Sequence, residues 1–350
     1  MTSNSVKQSG GENTPNIHDV ARKADVAVGT VSRFLNGYNI REGNRKRIEE
    51  AIEALQFRRN NAAAAIRKTH SQFVGFILPA FDEFHTEVLA TVIQDMRQRG
   101  YVVLPYSDGA ERLYLPDALD YFREHRVSAL ILSGDVGYHD HARELRELGI
   151  PLILYSNDML GLEVDRVLVS DAKSAYRATQ YLLEMGHTDI AILAGNMGDT
   201  TAQGRLEGFR KALSDAGIGE VQNTYVAGNG WNQSDGYFGM QSLLQCEKPP
   251  TAIFSSNYLL TLGAFQVFSE VGISVPDDVS VVTFGDSAHY PFYGNGLTAI
   301  DFPVQRIAAS ITDMFLSRIS DATVPLTRTM VHDCDLLVRG SVKPLVLADT

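Results

Sequence analysis

The sequence predicts an α/β protein with a small helical head at its N-terminus and a larger body made of two parallel-sheet lobes. Two observations lead to this fold class. Three short amphipathic helical patterns follow one another within residues 16–59, and eight short apolar runs separated by helix-length segments occupy the chain after residue 70. The chain of 350 residues, 44% hydrophobic and 21% charged, is long enough to bury the cores of two or three domains.

The net charge of −11 is unevenly distributed. Residues 1–69 contain 12 Lys and Arg and 7 Asp and Glu, whereas the remainder contains 19 and 35, so a head of charge +5 precedes a body of charge −16. A basic segment on an acidic chain indicates a local surface for a polyanion such as nucleic acid, with a solvated charged face as the alternative. Residues 1–15 are polar without an apolar run, so we interpret them as a flexible tail and not as a secretory signal.

Membrane and metal functions are disfavoured. No apolar stretch approaches the roughly 18 residues that would span a bilayer. Cys246 and Cys334 are far apart and outside any C-x-x-C, which argues against a disulfide framework and a structural zinc site. His139 and His141 are two residues apart, but without further ligands nearby a solvated loop is the better interpretation. We expect a cytoplasmic protein with no metal and no cofactor.

Three helices are predicted in the head, with Asn16 as the N-cap of the first, Asp25 as its end, and Val26–Asn36 as the second. Their apolar positions repeat at helical spacing: Val20, Ala21 and Ala24 in the first helix, Val31 and Leu35 in the second, and Ile48, Ile52 and Leu55 in the third. Helix, tight turn, helix and a supporting helix form the helix-turn-helix layout, whose second helix enters the major groove of DNA. A small helical bundle that packs on the body is the alternative.

The segment IHDVARKADVAVGTVSRFLNG resembles the DNA-binding head of the lactose-repressor (LacI/GalR) family. The resemblance implies that Val28, Gly29 and Arg33 face the bases, where Arg33 can donate paired hydrogen bonds to guanine. The positions that it assigns to the DNA backbone are Asn16, Thr30, Ser32 and Asn36. Two residues depart from the family: Asp25 replaces the usual turn glycine and Ala27 replaces a capping serine, so we expect a weaker start of the recognition helix.

Residues 60–70 connect the head to the body through an alanine run that is too short to form a stable helix alone. A plain polar linker is one interpretation. The family resemblance implies instead a hinge helix in the DNA minor groove, with Asn60 and Ala63 in the groove and Ile66 as the wedge between base pairs. Departures from the family pattern are Arg59 for proline, Ala64 for arginine and Ile66 for leucine.

The body alternates buried strands with helices. The predicted strands are FVGFILP, YVVLPYS, SALILSG and PLILYSN in a first series, and DIAILAG, TYVAG, TAIFSS and VSVVTFG in a second. Such alternation predicts parallel sheets covered on both faces, with ligands bound beyond the carboxyl ends of the strands. Two series therefore predict two lobes.

The resemblance continues over nearly all of the body. The segments YLLEMGHTDIAIL, RLEGFRKALSDAGI, VPDDVSVVTFGD, LTAIDFPVQRIA and LLVRGS are similar to landmarks of the same family's periplasmic-binding-protein-like effector domain. It implies an effector and dimerisation domain over 71–350, after a helix-turn-helix domain over 16–59. Lobe one would comprise about 71–160 and 291–325, and lobe two about 161–290 and 326–350. The chain would then cross between the lobes near Asn157, Tyr290 and Pro325.

The family correspondence also places an effector site between the lobes, at His85, Ser156, Arg205, Trp231, Asn257 and Asp286, with Gly285 beside the last. Trp231 offers a flat face for a sugar ring and Arg205 a fork of donors, with a core tryptophan and a surface ion pair as the alternatives. Many sugar-responsive members have aspartates at the positions of Ser156, Gly285 and Tyr258. The loss of these acceptors favours an acidic ligand, unless Asp286 restores one.

The sequence has no P-loop, no G-x-G-x-x-G after a strand, no H-E-x-x-H and no G-x-S-x-G, so an enzyme is disfavoured. The resemblance implies a homodimeric or tetrameric transcription regulator, expected to be a repressor, that binds pseudo-palindromic double-stranded operator DNA at the bacterial nucleoid. Its effector would be a sugar, a sugar acid or a sugar phosphate. A cytoplasmic sugar-binding module without operator-binding activity is the alternative.

Overall fold

The computed structural model of the protein describes residues 15–35, 38–57, 71–107, 109, 114–134, 138, 141, 144, 147, 149–219, 225–320 and 327–345. Most residue contacts fall within two units, a head of residues 1–69 and a body of residues 70–350. Among the described residues, no helix has the length and apolar character needed to cross a bilayer.

The head contains α1 (Ile17–Ala24), α2 (Val28–Leu35) and α3 (Glu42–Ala54). Its buried apolar side chains, contributed by all three helices, are Val20, Ala21, Ala24, Val31, Ile48 and Ala51. The three predicted helices are confirmed. The second begins two residues later than predicted, because the carbonyl of Ala27 is the first to accept helical hydrogen bonds, from the N–H groups of Thr30 and Val31.

The two helices of the motif begin differently. The side-chain oxygen of Asn16 accepts from the backbone N–H of His18 at 2.8 Å and of Asp19 at 3.3 Å, and the carboxylate of Asp19 accepts from the N–H of Asn16 at 3.0 Å. This reciprocal capping box stabilises the start of α1. Ala27 precedes α2 and has no side-chain acceptor, which supports the expectation of a weaker start for α2.

Asp25 ends α1 in the left-handed conformation, with φ 51° and ψ 53°. A residue with a Cβ pays a steric penalty in this region, although Asp and Asn tolerate it better than other residues. Arg47 Nη1 lies 3.7 Å from a carboxylate oxygen of Asp25, but both side chains are exposed, so this pair stabilises the turn little. The turn therefore keeps a backbone conformation that glycine would adopt more readily.

Lobe one of the body is a six-stranded parallel sheet in the order β11-β5-β4-β3-β1-β2. The strands are β1 (Phe73–Leu78), β2 (Val102–Ser107), β3 (Leu130–Ser133), β4 (Leu152–Tyr155), β5 (Asp165–Val169) and β11 (Thr329–His332). The helices that cover it are α4 (Glu83–Gln98), α5 (Leu115–Glu124) and α10 (Val304–Ser320).

Lobe two is a second six-stranded sheet in the order β12-β10-β9-β8-β6-β7, parallel except for the pair β10–β12. Its strands are β6 (Ile190–Leu193), β7 (Val226–Ala227), β8 (Ala252–Ser255), β9 (Ser280–Phe284), β10 (Thr298–Asp301) and β12 (Asp335–Leu337). Its helices are α6 (Asp171–Glu184), α7 (Thr200–Asp215), α8 (Gln233–Leu244) and α9 (Tyr258–Val271). The predicted α/β class with two lobes is confirmed, and all eight predicted apolar runs contain strands.

The crossings between the lobes lie later along the chain than predicted. They are at Ser170, Phe302–Pro303 and Asp333–Cys334, whereas the expected positions were near Asn157, Tyr290 and Pro325. The reason is the same in each case: one further strand, β5, β10 or β11, pairs in the sheet that the chain is about to leave. The predicted lobe limits therefore need correction by one strand at each crossing.

Strand β5 begins with two charged residues that are nevertheless buried. Asp165 accepts hydrogen bonds from Arg318 Nε at 2.9 Å and from Arg328 Nη2 at 2.6 Å, and Arg166 Nε donates to Asp158 at 2.5 Å. Buried charges are tolerated when they are paired and hydrogen-bonded in this way. These pairs let a segment that starts with Asp–Arg form an interior strand, and they tie α10 and β11 to it.

We predict that Asp25→Gly stabilises the head by about 1 kcal/mol, because glycine adopts positive φ without the steric cost of a Cβ. Asp25→Ala is the matched control: it keeps the Cβ and loses the polar side chain that makes this conformation tolerable, so it should destabilise the head. Amide hydrogen exchange of α1 and α2 in the intact protein measures both effects, as slower and faster exchange respectively. Slower exchange in the alanine variant than in the glycine variant would contradict the strain assigned to Asp25.

Candidate functional site

A cavity of about 640 Å³ lies in the body, where strands of both sheets end. Residues that follow strand ends and line it are Pro79, Ser156, Asn196, Asn257 and Gly285. Open parallel sheets bind ligands at this position, and the volume falls within the roughly 300–1,000 Å³ of small-molecule sites. We refer to it as the cleft.

All six residues predicted for the effector site line the cleft: His85, Ser156, Arg205, Trp231, Asn257 and Asp286. They come from both lobes and are widely separated along the chain. The fold thus brings them together, while their contact with an effector stays a prediction.

Arg205 forms the floor of the cleft from α7. It is 3% exposed, its Nε donates to Asp171 Oδ1 at 2.7 Å, and its Nη1 donates to the carbonyl of Ser256. Its guanidinium carbon lies 3.6 Å from the ring centroid of Phe284, a stacked cation–π contact. Burial raises the pKa of Asp171, and the charge and hydrogen bond of Arg205 oppose that rise. Among the described residues Nη2 has no hydrogen-bond partner, so its two N–H groups and the second N–H of Nη1 are the donors that a ligand could use.

Trp231 forms a wall of the cleft, and its ring orientation is fixed by two contacts. Its Nε1 donates to Asp199 Oδ2 at 2.6 Å. The ring also packs against the backbone at Gly195, where an added Cβ would lie 2.2 Å from a ring carbon. Only glycine fits beneath this ring without displacing it.

His85 lies near the start of α4 on the lobe-one side. Its backbone N–H donates to the N-cap residue Asp82 at 2.8 Å, and its ring Nδ1 is 2.8 Å from the hydroxyl of Tyr155. Phe84 beside it packs against Phe302 with ring centroids 4.1 Å apart. The lobe-one wall therefore presents both an aromatic surface and polar groups.

The remaining predicted residues are partly engaged by the protein itself. Asn257 caps α9 by accepting from the N–H of Leu260 at 2.7 Å, and its amide nitrogen donates to the carbonyl of Trp231 at 3.1 Å. Ser156 adopts a positive φ of 63°, and its carbonyl accepts from the hydroxyl of Thr201 at 3.3 Å. Asn257 thus bonds to the backbone beside Trp231 and at the start of α9, whereas Ser156 is bonded through its own carbonyl to the side chain of Thr201.

Asp286 is paired with an arginine that the sequence interpretation missed. Arg339 Nη1 and Nη2 donate to its two carboxylate oxygens at 2.6 and 2.7 Å, and these bonds raise the pKa of Arg339. Such a fork-to-fork pair is geometrically specific. Asp286 is therefore a neutralised carboxylate at the cleft and only a partial replacement for the acceptor lost at Gly285.

The charges of the cleft are mostly negative. Its carboxylates are Asp82, Glu83, Asp199 and Asp286, whereas Arg205 is the single Lys or Arg among the described lining residues. Asp82, Glu83 and Asp199 were absent from the predicted site. The sequence signal for all three was their place in the segments that follow β1 and β6, at the carboxyl edges of the two sheets.

No group of three His, Cys, Asp or Glu side chains suited to a metal ion occurs in the described part of the chain. His139 lies outside the described residues. His141 lines the cleft, and its Nδ1 is 3.9 Å from a carboxylate oxygen of Glu144. His141 is therefore explained as one member of a side-chain pair and not as a metal ligand.

The head presents Gly29 and Arg33 as exposed residues on α2, whereas Val28, Thr30 and Ser32 are half-buried. Val28 packs against the core of the head. An added Cβ at Gly29 would meet no atom within 4 Å, so this face of α2 is open. Four predicted DNA contacts, Asn36, Asn60, Ala63 and Ile66, lie outside the described residues.

Comparison with known proteins agrees with the division of the chain into a head and a body. Residues 16–60 match the model for bacterial regulatory proteins of the lacI family, and residues 179–342 match the periplasmic binding protein-like domain. The chain is 28% identical over 332 residues to the HTH-type transcriptional repressor PurR of Actinobacillus pleuropneumoniae serotype 3, covering 94% of this chain and 98% of that protein. It is 27% identical over 330 residues to the ribose operon repressor of Haemophilus influenzae, with coverages of 93% and 98%.

A solved structure is similar as well. The transcriptional regulator CelR–cellobiose complex superposes with a TM-score of 0.71 at 25% sequence identity, covering 93% of this chain and 99% of that one. The similarity to these regulators extends over both the head and the body of this chain. The chain is therefore a DNA-binding transcriptional regulator whose head matches the lacI family of bacterial regulatory proteins and whose body contains a periplasmic binding protein-like domain.

Proposed function

We propose that this regulator binds a pseudo-palindromic operator as a homodimer and that a neutral carbohydrate in the cleft controls its operator affinity. The observation that carries the proposal is the composition of the cleft, in which aromatic rings and carboxylates surround one guanidinium that is already paired. The DNA-binding part of the proposal is supported by the open face of α2.

Arg33 and Gly29 are four residues apart on α2, so they lie on the same face of the helix. The missing side chain at Gly29 allows a close approach to the major groove, where Arg33 can reach the O6 and N7 atoms of a guanine. Val28 offers only part of its side chain, and Thr30 and Ser32 flank this face at positions suited to phosphates. The oxygen of Asn16 caps α1, which leaves its amide nitrogen for a phosphate.

A single head buries too little surface for tight specific binding, so two heads on two half-sites are needed. This requirement supports a homodimer, or a tetramer built from dimers. The family resemblance implies a dimer surface along the outer helices of the lobes, including parts of 84–99 and 295–319. In the body, α4 and α10 of this region pack against each other, and Ile93 of α4 is exposed. The protein would act in the cytoplasm, at the nucleoid, with Asn36, Asn60, Ala63 and Ile66 completing the DNA contacts.

The charges in the cleft favour a neutral ligand over the acidic one suggested by the sequence. Hydroxyl groups of a sugar can donate to the carboxylates at Asp82 and Glu83, and the apolar face of a sugar ring can stack on Trp231. A carboxylate or phosphate on the ligand would instead be placed among like charges, and the charge of Arg205 is already balanced by Asp171. The names of two similar proteins, a ribose operon repressor and a cellobiose complex, support a sugar.

An effector changes operator affinity only through different affinities for two arrangements of the protein. The cleft is lined by both lobes, so a ligand there favours the arrangement in which both walls contact it. We expect this arrangement to have lower operator affinity, because release on effector binding is the commoner behaviour in the family.

We predict that Arg33→Ala lowers affinity for the operator by about 1–3 kcal/mol and relaxes preference at one base position of each half-site. Lys46→Ala is the control, since an exposed lysine that reaches a phosphate should weaken binding to all sequences alike. Gel-shift titrations with the promoter DNA of the protein's own gene and with scrambled DNA measure both. An equal loss on both DNAs for Arg33→Ala would refute base reading, and no binding by the wild type would favour the sugar-binding module.

We predict that neutral sugars raise the melting temperature and that charged derivatives of the same sugars do not. The matched set is glucose, ribose and cellobiose beside glucuronic acid, glucose 6-phosphate and ribose 5-phosphate, all in a thermal-shift assay. A ligand at a hundred times its Kd adds about 2.7 kcal/mol to the free energy of unfolding, which is readily detected. Stabilisation by the acids or phosphates alone would reverse the proposed ligand class.

We predict that Gly195→Ala lowers affinity for the stabilising neutral sugar about tenfold or more, because the new methyl group must displace the ring of Trp231 and overpacking costs about 1–3 kcal/mol. Gly219→Ala is the control, since an added Cβ there meets no atom within 4 Å. Isothermal titration with that sugar compares the two variants. Unchanged affinity in Gly195→Ala would exclude Trp231 from the binding surface.

A further inference from the structure

A chain of side-chain hydrogen bonds runs across the cleft from lobe one to the single tryptophan of the protein. It begins at Asn157, which follows β4 and is 5% exposed. The amide nitrogen of Asn157 donates to the carbonyl of Gly134 in lobe one at 2.9 Å and to Asp199 Oδ1 in lobe two at 2.8 Å. This one side chain therefore bonds to both lobes.

The oxygen of the same amide also faces lobe two. Asn157 Oδ1 accepts from the hydroxyl of Thr200 at 2.7 Å and from the backbone N–H of Thr201 at 3.3 Å. An asparagine amide has two donor hydrogens and an acceptor oxygen with two lone pairs, so all four positions are occupied. A rotation of one lobe away from the other would break three of these four bonds together.

Asp199 continues the chain to Trp231. It is 3% exposed, and its second carboxylate oxygen accepts from Trp231 Nε1 at 2.6 Å. The orientation of the ring thus depends on a carboxylate whose other oxygen is bonded to lobe one.

A role for Asp199 as a helix cap does not account for this geometry. Asp199 occupies the N-cap position of α7, where an aspartate usually accepts from the first free N–H groups of its own helix. Here its side chain makes no capping hydrogen bond. The carboxylate is directed to Trp231 and Asn157 instead, so its position serves the cleft and not the helix start.

We propose that Asn157 and Asp199 form an interlobe bridge that orients Trp231 and couples the occupancy of the cleft to the arrangement of the lobes. The inference rests on the proposed function, since the ligand is taken to contact Trp231. A ligand that moves the ring perturbs the Asp199 carboxylate, and a buried carboxylate that loses a partner is costly. The bridge is therefore either made or broken, as a two-state coupling element requires.

The test uses the full-length protein without any sugar. The variants are Asn157→Ala, which removes the lobe-one partner but leaves the bond between Asp199 and Trp231 possible, and Asp199→Asn, which keeps the shape but has one carbonyl oxygen in place of two. Asp215→Asn is the control on the same helix, since Asp215 is exposed and paired with Lys211. Cooperative urea unfolding of each variant confirms that it is folded.

The first readout is the fluorescence of Trp231. We expect Asn157→Ala and Asp199→Asn to move the emission maximum and to increase acrylamide quenching about twofold, whereas Asp215→Asn matches the wild type. Asn157 makes no hydrogen bond to Trp231, so a merely local role would leave the emission of Asn157→Ala unchanged. That result would overturn the bridge.

The second readout is affinity for the promoter DNA of the protein's own gene in the absence of sugar. Typical coupling energies correspond to changes of about fivefold or more, so we expect a change of at least this size in Asn157→Ala, although its head is unaltered. A changed fluorescence with wild-type DNA affinity would overturn the coupling. If the wild type itself binds no promoter DNA, the proposed function fails, while the fluorescence result still decides whether the bridge orients Trp231.

Discussion

The guanidinium of Arg205 connects the elements on which the cleft depends. From α7 it reaches Asp171 at the start of α6, the carbonyl of Ser256 after β8, and the ring of Phe284 at the end of β9. Asp171 directly follows the first crossing between the lobes. Removing one partner of a buried ion pair typically costs about 3–5 kcal/mol, so these elements hold their relative positions together. Arg205 is consequently part of the cleft's framework, and only those N–H groups that Asp171 and Ser256 do not use are left for a ligand.

Much of the fold could be predicted from the periodicity of apolar residues, and the errors of this prediction have physical causes. Buried parallel strands are continuous apolar runs, which is why all eight predicted runs became strands. Strand β5 was missed because it begins with Asp165 and Arg166, whose burial depends on partners far away in sequence. Strand β12 was missed because it is short, at a sheet edge, and polar at its start. The misplaced crossings follow from missing β5, β10 and β11, each of which pairs in the sheet that the chain is about to leave.

For the cleft, the residues that line it could be predicted, but the partners to which they bond could not. The correspondence with a known family located six lining residues, because the family fold fixes which chain positions meet at the strand ends. It did not reveal what those residues bond to. The sequence suggested that Asp286 is an acceptor for the ligand, yet Arg339 donates to both of its carboxylate oxygens. Asp199 occupies the N-cap position of α7, yet its carboxylate makes no capping hydrogen bond and accepts from Trp231 instead. Partners distant in sequence decide the charge of a site, and periodicity carries no information about them.

The proposed bridge of Asn157 and Asp199 also explains why we expect the two lobes to move between discrete arrangements. The interlobe bonds of Asn157 and Asp199 are buried, and in such surroundings an unpaired polar group is destabilising, whereas a fully bonded network is rigid. Intermediate lobe positions would stretch several of these bonds at once without offering water as a replacement partner. A graded closure is therefore disfavoured relative to a fully bonded and a fully solvated state. A ligand that contacts Trp231 acts on this choice directly, because the ring and the bridge share the carboxylate of Asp199.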